Sequence, residues 1–183
     1  RILLPLYSDG FNASLVAISD DHGGTWRASR PIIGLGPIQP SLARRRDGSI
    51  VAFCRDSGPP PFRVMASLSR DNGETWSAAL DTTLPNPGSS LEVTVLRDRR
   101  WLIVYNDSTQ SRDSLTVALS TDEGKTWPLK RRLEPQGDGA TSFSYPSVIQ
   151  SADGAVHITY TCKGPRGGRI RHGILQLNQL KSD

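Results

Sequence analysis

Ser69-Arg70-Asp71-Asn72-Gly73-Glu74-Thr75-Trp76 occurs in three close copies along this chain. Ser19-Asp20-Asp21-His22-Gly23-Gly24-Thr25-Trp26 starts 50 residues before it, and Ser120-Thr121-Asp122-Glu123-Gly124-Lys125-Thr126-Trp127 starts 51 residues after it. A constant offset of that size marks repeated supersecondary units, not one continuous core. Each copy reads as a tight turn. Asp accepts hydrogen bonds from its own backbone, Gly permits a positive φ, and Trp is expected to pack between neighbouring sheets. Asp21, Asp71 and Asp122 are therefore folding devices and poor catalytic candidates.

Working outward from Ser69, the second repeat resolves into four strands. Gln39 to Ala43 runs to an Asp47-Gly48 turn, and Ser49 to Arg55 returns as an apolar second strand. Arg63 to Ser69 leads into the octapeptide, and Trp76 to Thr83 leaves it. The third repeat matches, with strands at Ser90 to Leu96, Trp101 to Asn106, Ser114 to Ser120 and Trp127 to Leu133. The fourth supplies Tyr145 to Gln150, Ala155 to Thr161 and Arg169 to Leu177, with an Asp153-Gly154 turn. Thirteen prolines, 17 glycines and no long apolar stretch at helical spacing exclude a helical protein. The expectation is all-β: a partial β-propeller of about three and a half four-stranded antiparallel blades. These blades cover residues 1–35 in part, 39–84, 90–135 and 145–177 of a single domain.

The first repeat enters partway, so the chain is expected to be the C-terminal part of a longer protein. No signal peptide is visible, which leaves a secreted or periplasmic location open, and no segment has the apolar length of a membrane span. The net charge of +4 gathers in turn-located runs such as Arg44-Arg45-Arg46 and Lys130-Arg131-Arg132. They lack interleaved aromatics, which argues against nucleic acid. Cys54 and Cys162 fall at nearly equivalent places two repeats apart, so they read as buried thiols and not a bridge. His22, His157 and His172 lack metal-ligand spacing, and neither metal nor cofactor is called for.

Antiparallel geometry puts the octapeptide turns and the first-to-second-strand turns at one end of every blade. The opposite end displays first- and third-strand starts and second-strand ends. Gln39, Arg55, Arg63, Asn86, Ser90, Asn106, Arg112 and Tyr145 fall there, polar groups where a propeller holds a ligand.

The octapeptide is the Asp box. Together with Gln39-Pro40-Ser41, Leu84-Pro85-Asn86-Pro87, Val104-Tyr105-Asn106, Ser144-Tyr145-Pro146-Ser147 and His157-Ile158-Thr159-Tyr160-Thr161, it makes the whole chain resemble one family. That family is the sialidase-like Asp-box (BNR-repeat) β-propellers, above all the bacterial exo-α-sialidases. The resemblance implies a six-bladed ring acting on an acidic sugar. Arg55, 16 residues after Gln39, and Arg112, eight before Ser120, would clamp the sugar carboxylate through planar guanidinium forks. Tyr145, 106 residues after Gln39, would be the nucleophile. A neutral phenol is not repelled by the substrate carboxylate as an anionic nucleophile would be, but it needs a base. The family's glutamate base position holds Gln39, which cannot take a proton, and Glu92 in the intervening blade is the nearest replacement.

Asn86, Asn106, Arg63 and Gln39 complete the expected substrate contacts. The family's third clamp arginine and its acid/base aspartate lie in blades that this chain does not contain, so the chain alone is expected to be inactive. Two alternatives stand beside hydrolysis. One is a non-catalytic carbohydrate-binding propeller. The other is a polysaccharide lyase, in which tyrosine or histidine removes the proton α to a uronate carboxylate. Were the chain complete, two copies would be expected to close one ring.

Overall fold

The computed structural model describes residues 1–134, 139–179 and 181–182. The chain forms two compact units, Arg1–Leu84 and Pro85–Asp183. Among the described residues the only helical element is a 3-10 turn at Leu177–Gln179; the regular structure is otherwise β.

The first unit holds two antiparallel sheets. One has the order β1 (Ile2–Ser8), β2 (Ala13–Ser19), β3 (Arg27–Ala28). The other runs β4 (Pro37–Arg44), β5 (Ile50–Asp56), β6 (Arg63–Ser69), β7 (Leu80–Pro85). The apolar run Ile50 to Cys54 is buried on both faces of its sheet, as a central strand demands. Ile32, Ala52, Cys54, Met65 and Ala79 form a core against which Trp76 packs. β7 begins four residues later than the expected start at Trp76. Ser77 is tied to β6 by its amide, which donates to the Leu68 carbonyl, and by its hydroxyl, which accepts from the Leu68 amide, while the Ala79 amide turns to Ile33.

In the second unit, β8 (Glu92–Val95), β9 (Trp101–Tyr105), β10 (Leu115–Ser120) and β11 (Leu129–Glu134) form one sheet. β12 (Ser142–Gln150), β13 (Val156–Gly164) and β14 (Gly167–Leu175) form the other. Leu102, Val104, Leu115, Val117 and Leu119 pack with Phe143, Val148, Val156, Ile158 and Leu175 in one cluster. Each such side chain contributes about 1.5–3 kcal/mol on burial. Two features go beyond the expected strands. The β13–β14 ladder extends to a Gly164↔Gly167 pair, and β15 (Lys181–Ser182) adds a fifth strand by pairing with Leu129 and Lys130.

The Asp-box corners share one set of internal hydrogen bonds. Ser19 Oγ donates to Asp21 and accepts from the Gly23 amide, both at 2.8 Å. Asp21 accepts from the Thr25 amide and hydroxyl, and Trp26 Nε1 returns to the Gly23 carbonyl. Ser69, Asp71, Thr75 and Trp76 repeat this set, as do Ser120, Asp122 and Thr126. The residue before the glycine is also left-handed, at φ 59, 60 and 61° for His22, Asn72 and Glu123, which makes the corner a primed turn. These hydrogen bonds hold the carboxyls near 2. Thr25 leads at Asp21 and Thr75 at Asp71; at Asp122 partial burial pushes upward and the Thr126 and Ser120 bonds outweigh it. The tryptophans differ from the uniform packing expected: Trp127 is buried, whereas Trp26 is 46% exposed.

Candidate functional site

Two first strands break at the same point. β4 loses register with β5 between Ile38 and Ser41, and β12 loses it with β13 between Ser144 and Ser147. The residues lifted out are Gln39 (φ 51°) and Tyr145 (φ 52°), each followed by Pro-Ser. A left-handed non-glycine residue is held only where the surroundings over-determine it, and such strain gathers at ligand sites.

In the first unit, Gln39 Nε2 donates to the Tyr7 hydroxyl at 3.0 Å, and Arg55 Nη1 donates to Gln39 Oε1 at 3.3 Å. Strand register makes Tyr7 the counterpart of Arg55, since Ile2 faces Ser19 as Ile50 faces Ser69. Tyr7 was not singled out from the sequence; the signal was there in its place five residues after Ile2, matching Arg55 after Ile50. Arg55 is half-buried, its Nε has no hydrogen-bond partner, and no carboxylate among the described residues pairs with it. Arg63 is spent differently. Its Nη1 donates to the Thr83 carbonyl and its amide to Asp56, so it braces β6 against β7.

In the second unit, the Tyr145 amide donates to Ser90 Oγ at 2.9 Å, while the tyrosine side chain is 56% exposed. Arg112 donates through Nη2 to the Gly88 carbonyl, and its own carbonyl accepts from the Phe143 amide, just ahead of Tyr145. Glu92 opens β8 opposite Val104, in the register of Ser41 opposite Phe53 and two residues after Ser90. Hydrogen bonds thus tie Tyr145 to Ser90 and the segment just ahead of it to Arg112, and Glu92 lies two residues along the chain from Ser90.

Asn86 and Asn106 lie inside the second unit. Both were expected to touch substrate, and both are fully buried. The Asn86 amide closes its own loop, donating to the Ser89 carbonyl and accepting from the Ser89 amide. Asn106 donates to the Ser114 and Phe143 carbonyls and accepts from Ser89 Oγ. Buried amides bonded in this way support the loops that carry Arg112 and Tyr145.

Tyr160 and the histidines behave as structural groups. The Tyr160 hydroxyl donates to Glu134; burial and that carboxylate push it up to about 12, so it is no base near neutral pH. His157 and His172 stack across β13 and β14 with ring nitrogens 3.0 Å apart. Cys54 and Cys162 are buried and free.

With this geometry in place, similarity to known proteins is informative. Residues 1–158 match the family model described as BNR repeat-like domain. A sialidase of Micromonospora viridifaciens is 29% identical over 152 residues, covering 78% of this chain and 22% of that protein. The NanB sialidase of Streptococcus pneumoniae superposes with a TM-score of 0.76 at 19% identity, covering 98% of this chain and 29% of that one. A Dyadobacter fermentans protein of unknown function gives 0.74 at 23% identity, over 94% and 49%. The chain spans about a fifth of the Micromonospora sialidase. The fold is that of the sialidase propellers, all-β in antiparallel sheets of three to five strands. By the extent of the match, the chain belongs to the BNR repeat-like domain family.

Proposed function

We propose that this protein handles an acidic sugar as a glycoside hydrolase of the exo-α-sialidase type. The observation that carries the reading is Arg55, a half-buried guanidinium facing an amide where a carboxylate would neutralise it. A cation left in that state favours an anionic ligand. In this reading each unit offers its own guanidinium to an acidic sugar: in the first, Gln39 orients Arg55, which Arg63 flanks, and in the second Arg112 accompanies Tyr145, with Asn86 and Asn106 keeping the surrounding loops in place. Tyr145 attacks the anomeric carbon, its phenolic proton passing to Glu92 while the glycosidic C–O bond breaks and the departing oxygen takes a proton from water. Water then releases the sugar from the tyrosine.

Gln39 supports a second reading, a carbohydrate-binding propeller without turnover, because an amide at that place binds but takes no proton. Release of methylumbelliferone from a sialoside by the full-length protein separates the two. Release that is lost in Tyr145→Phe supports hydrolysis. Binding of the sialoside without release supports the second reading, and neither binding nor release rejects both.

A further inference from the structure

The hairpin joining β13 and β14 is the most cationic finger of the second unit that the proposed chemistry leaves unused. Lys163, Arg166, Arg169 and Arg171 lie within nine residues, all exposed. Only Arg171 is paired among the described residues, to Glu134 at 2.6 Å. Gly164-Pro165-Arg166-Gly167 closes the finger: Pro165 sets the first corner, and Gly167 at φ 108° starts the return strand. Beside it lies a cavity of about 300 Å³ lined by Thr141, Cys162, Arg166, Arg169 and the glycine backbone at 164, 167 and 168. A side chain added at Gly167 or Gly168 would meet nothing within 4 Å, so the backbone floor stands open between two arginines.

Position supplies the second half of the argument. Ser144, the neighbour of Tyr145, pairs with Thr161, and the ladder continues through Lys163 opposite Ser142 to Gly164. The finger therefore rises at the Tyr145 end of its own sheet, about 10 Å along the strand at about 3.3 Å per residue. A short oligosaccharide spans that distance. No aromatic side chain lines the cavity, so it offers no platform for stacking nucleic-acid bases.

We propose that this hairpin is a second anion subsite, in which Arg166 and Arg169 take a carboxylate or sulfate on a sugar beyond the one at Tyr145. The preferred ligand is then an acidic oligosaccharide and not a single terminal acidic sugar. This rests on the reading of Tyr145 as the centre of the site. Calorimetry on the intact protein tests it with sialic acid, an α-linked sialic acid tetramer, a sulfated tetrasaccharide, a neutral tetrasaccharide and an oligonucleotide of equal charge. The acidic tetramers are expected to bind at least tenfold more tightly than the monomer, and the ratio to collapse towards one in Arg166→Ala/Arg169→Ala. Arg166→Lys/Arg169→Lys should retain part of it, because charge survives and the planar fork does not.

The sialic acid and sulfated arms decide which anion is read. A double variant with the wild-type ratio, no binding of either acidic tetramer, or an oligonucleotide binding as tightly as the glycans would each overturn the proposal. If the monomer fails to bind while tetramer affinity still falls in the double variant, the subsite stands and the Tyr145 reading fails.

Discussion

Gln39 and Tyr145 are geometric twins. Each sits in a first strand at the same break in register, each has φ close to 51°, and each is followed by Pro-Ser. One presents an amide tied to Arg55 and Tyr7, the other an exposed phenol. The backbone has set aside one display position and filled it with different chemistry in two sheets.

That display strains the chain. At Tyr145, Tyr145→Gly should exceed Tyr145→Ala in stability by about 1 kcal/mol, the reverse of the usual order, because alanine shares the left-handed penalty and glycine does not. Urea denaturation of the two variants measures the gap. Equal stabilities, or alanine ahead, would remove strain from the account.

The proton acceptor can be tested by exchange. With a sialoside that is turned over, Glu92→Gln should lower kcat by about 10²-fold, within the range for a general base. A Glu92→Gln enzyme with unchanged kcat would strip Glu92 of this role.

Acid should loosen the corners first. The Asp21, Asp71 and Asp122 carboxyls ionise near 2 in the fold against 3.8 in a free chain, so the unfolded state binds more protons between those values. Their contribution is whole above about pH 4 and is lost as pH falls towards 2. Thermal melts between pH 5 and 2.5 should show this decline, and Asp71→Asn should melt lower at pH 5 with a flatter decline. A wild-type melt independent of pH in that window would count against it.

Asn106→Ala should destabilise the fold by about 2–3 kcal/mol, because it leaves the Ser114 and Phe143 carbonyls without their buried donor. Asn86→Ala, whose partners lie within one loop, should do less. Were Asn106 a substrate contact, the change would appear in KM with stability intact.

Strand order and the Asp-box corners were legible because both are local: an apolar run, an Asp-Gly turn and an octapeptide declare themselves over a few residues. The late start of β7 was not, since it depends on Ala79 choosing Ile33 as its partner across the fold. Nor were the register breaks, although Gln39-Pro40-Ser41 and Tyr145-Pro146-Ser147 carried a visible trace of them. Polarity alone did not reveal that Asn86 and Asn106 are buried, because an amide that satisfies buried carbonyls has the same letter as one at the surface. Tyr7 escaped notice because its value lies in facing Gln39, 32 residues away.

Each Asp box closes the hydrogen bonds of its serine, aspartate and threonine within eight residues. A duplicated repeat therefore arrives with one corner already finished. Its far rim is free to diverge, and that freedom is how sibling copies of one ancestral module can come to offer an amide in one place and a phenol in another.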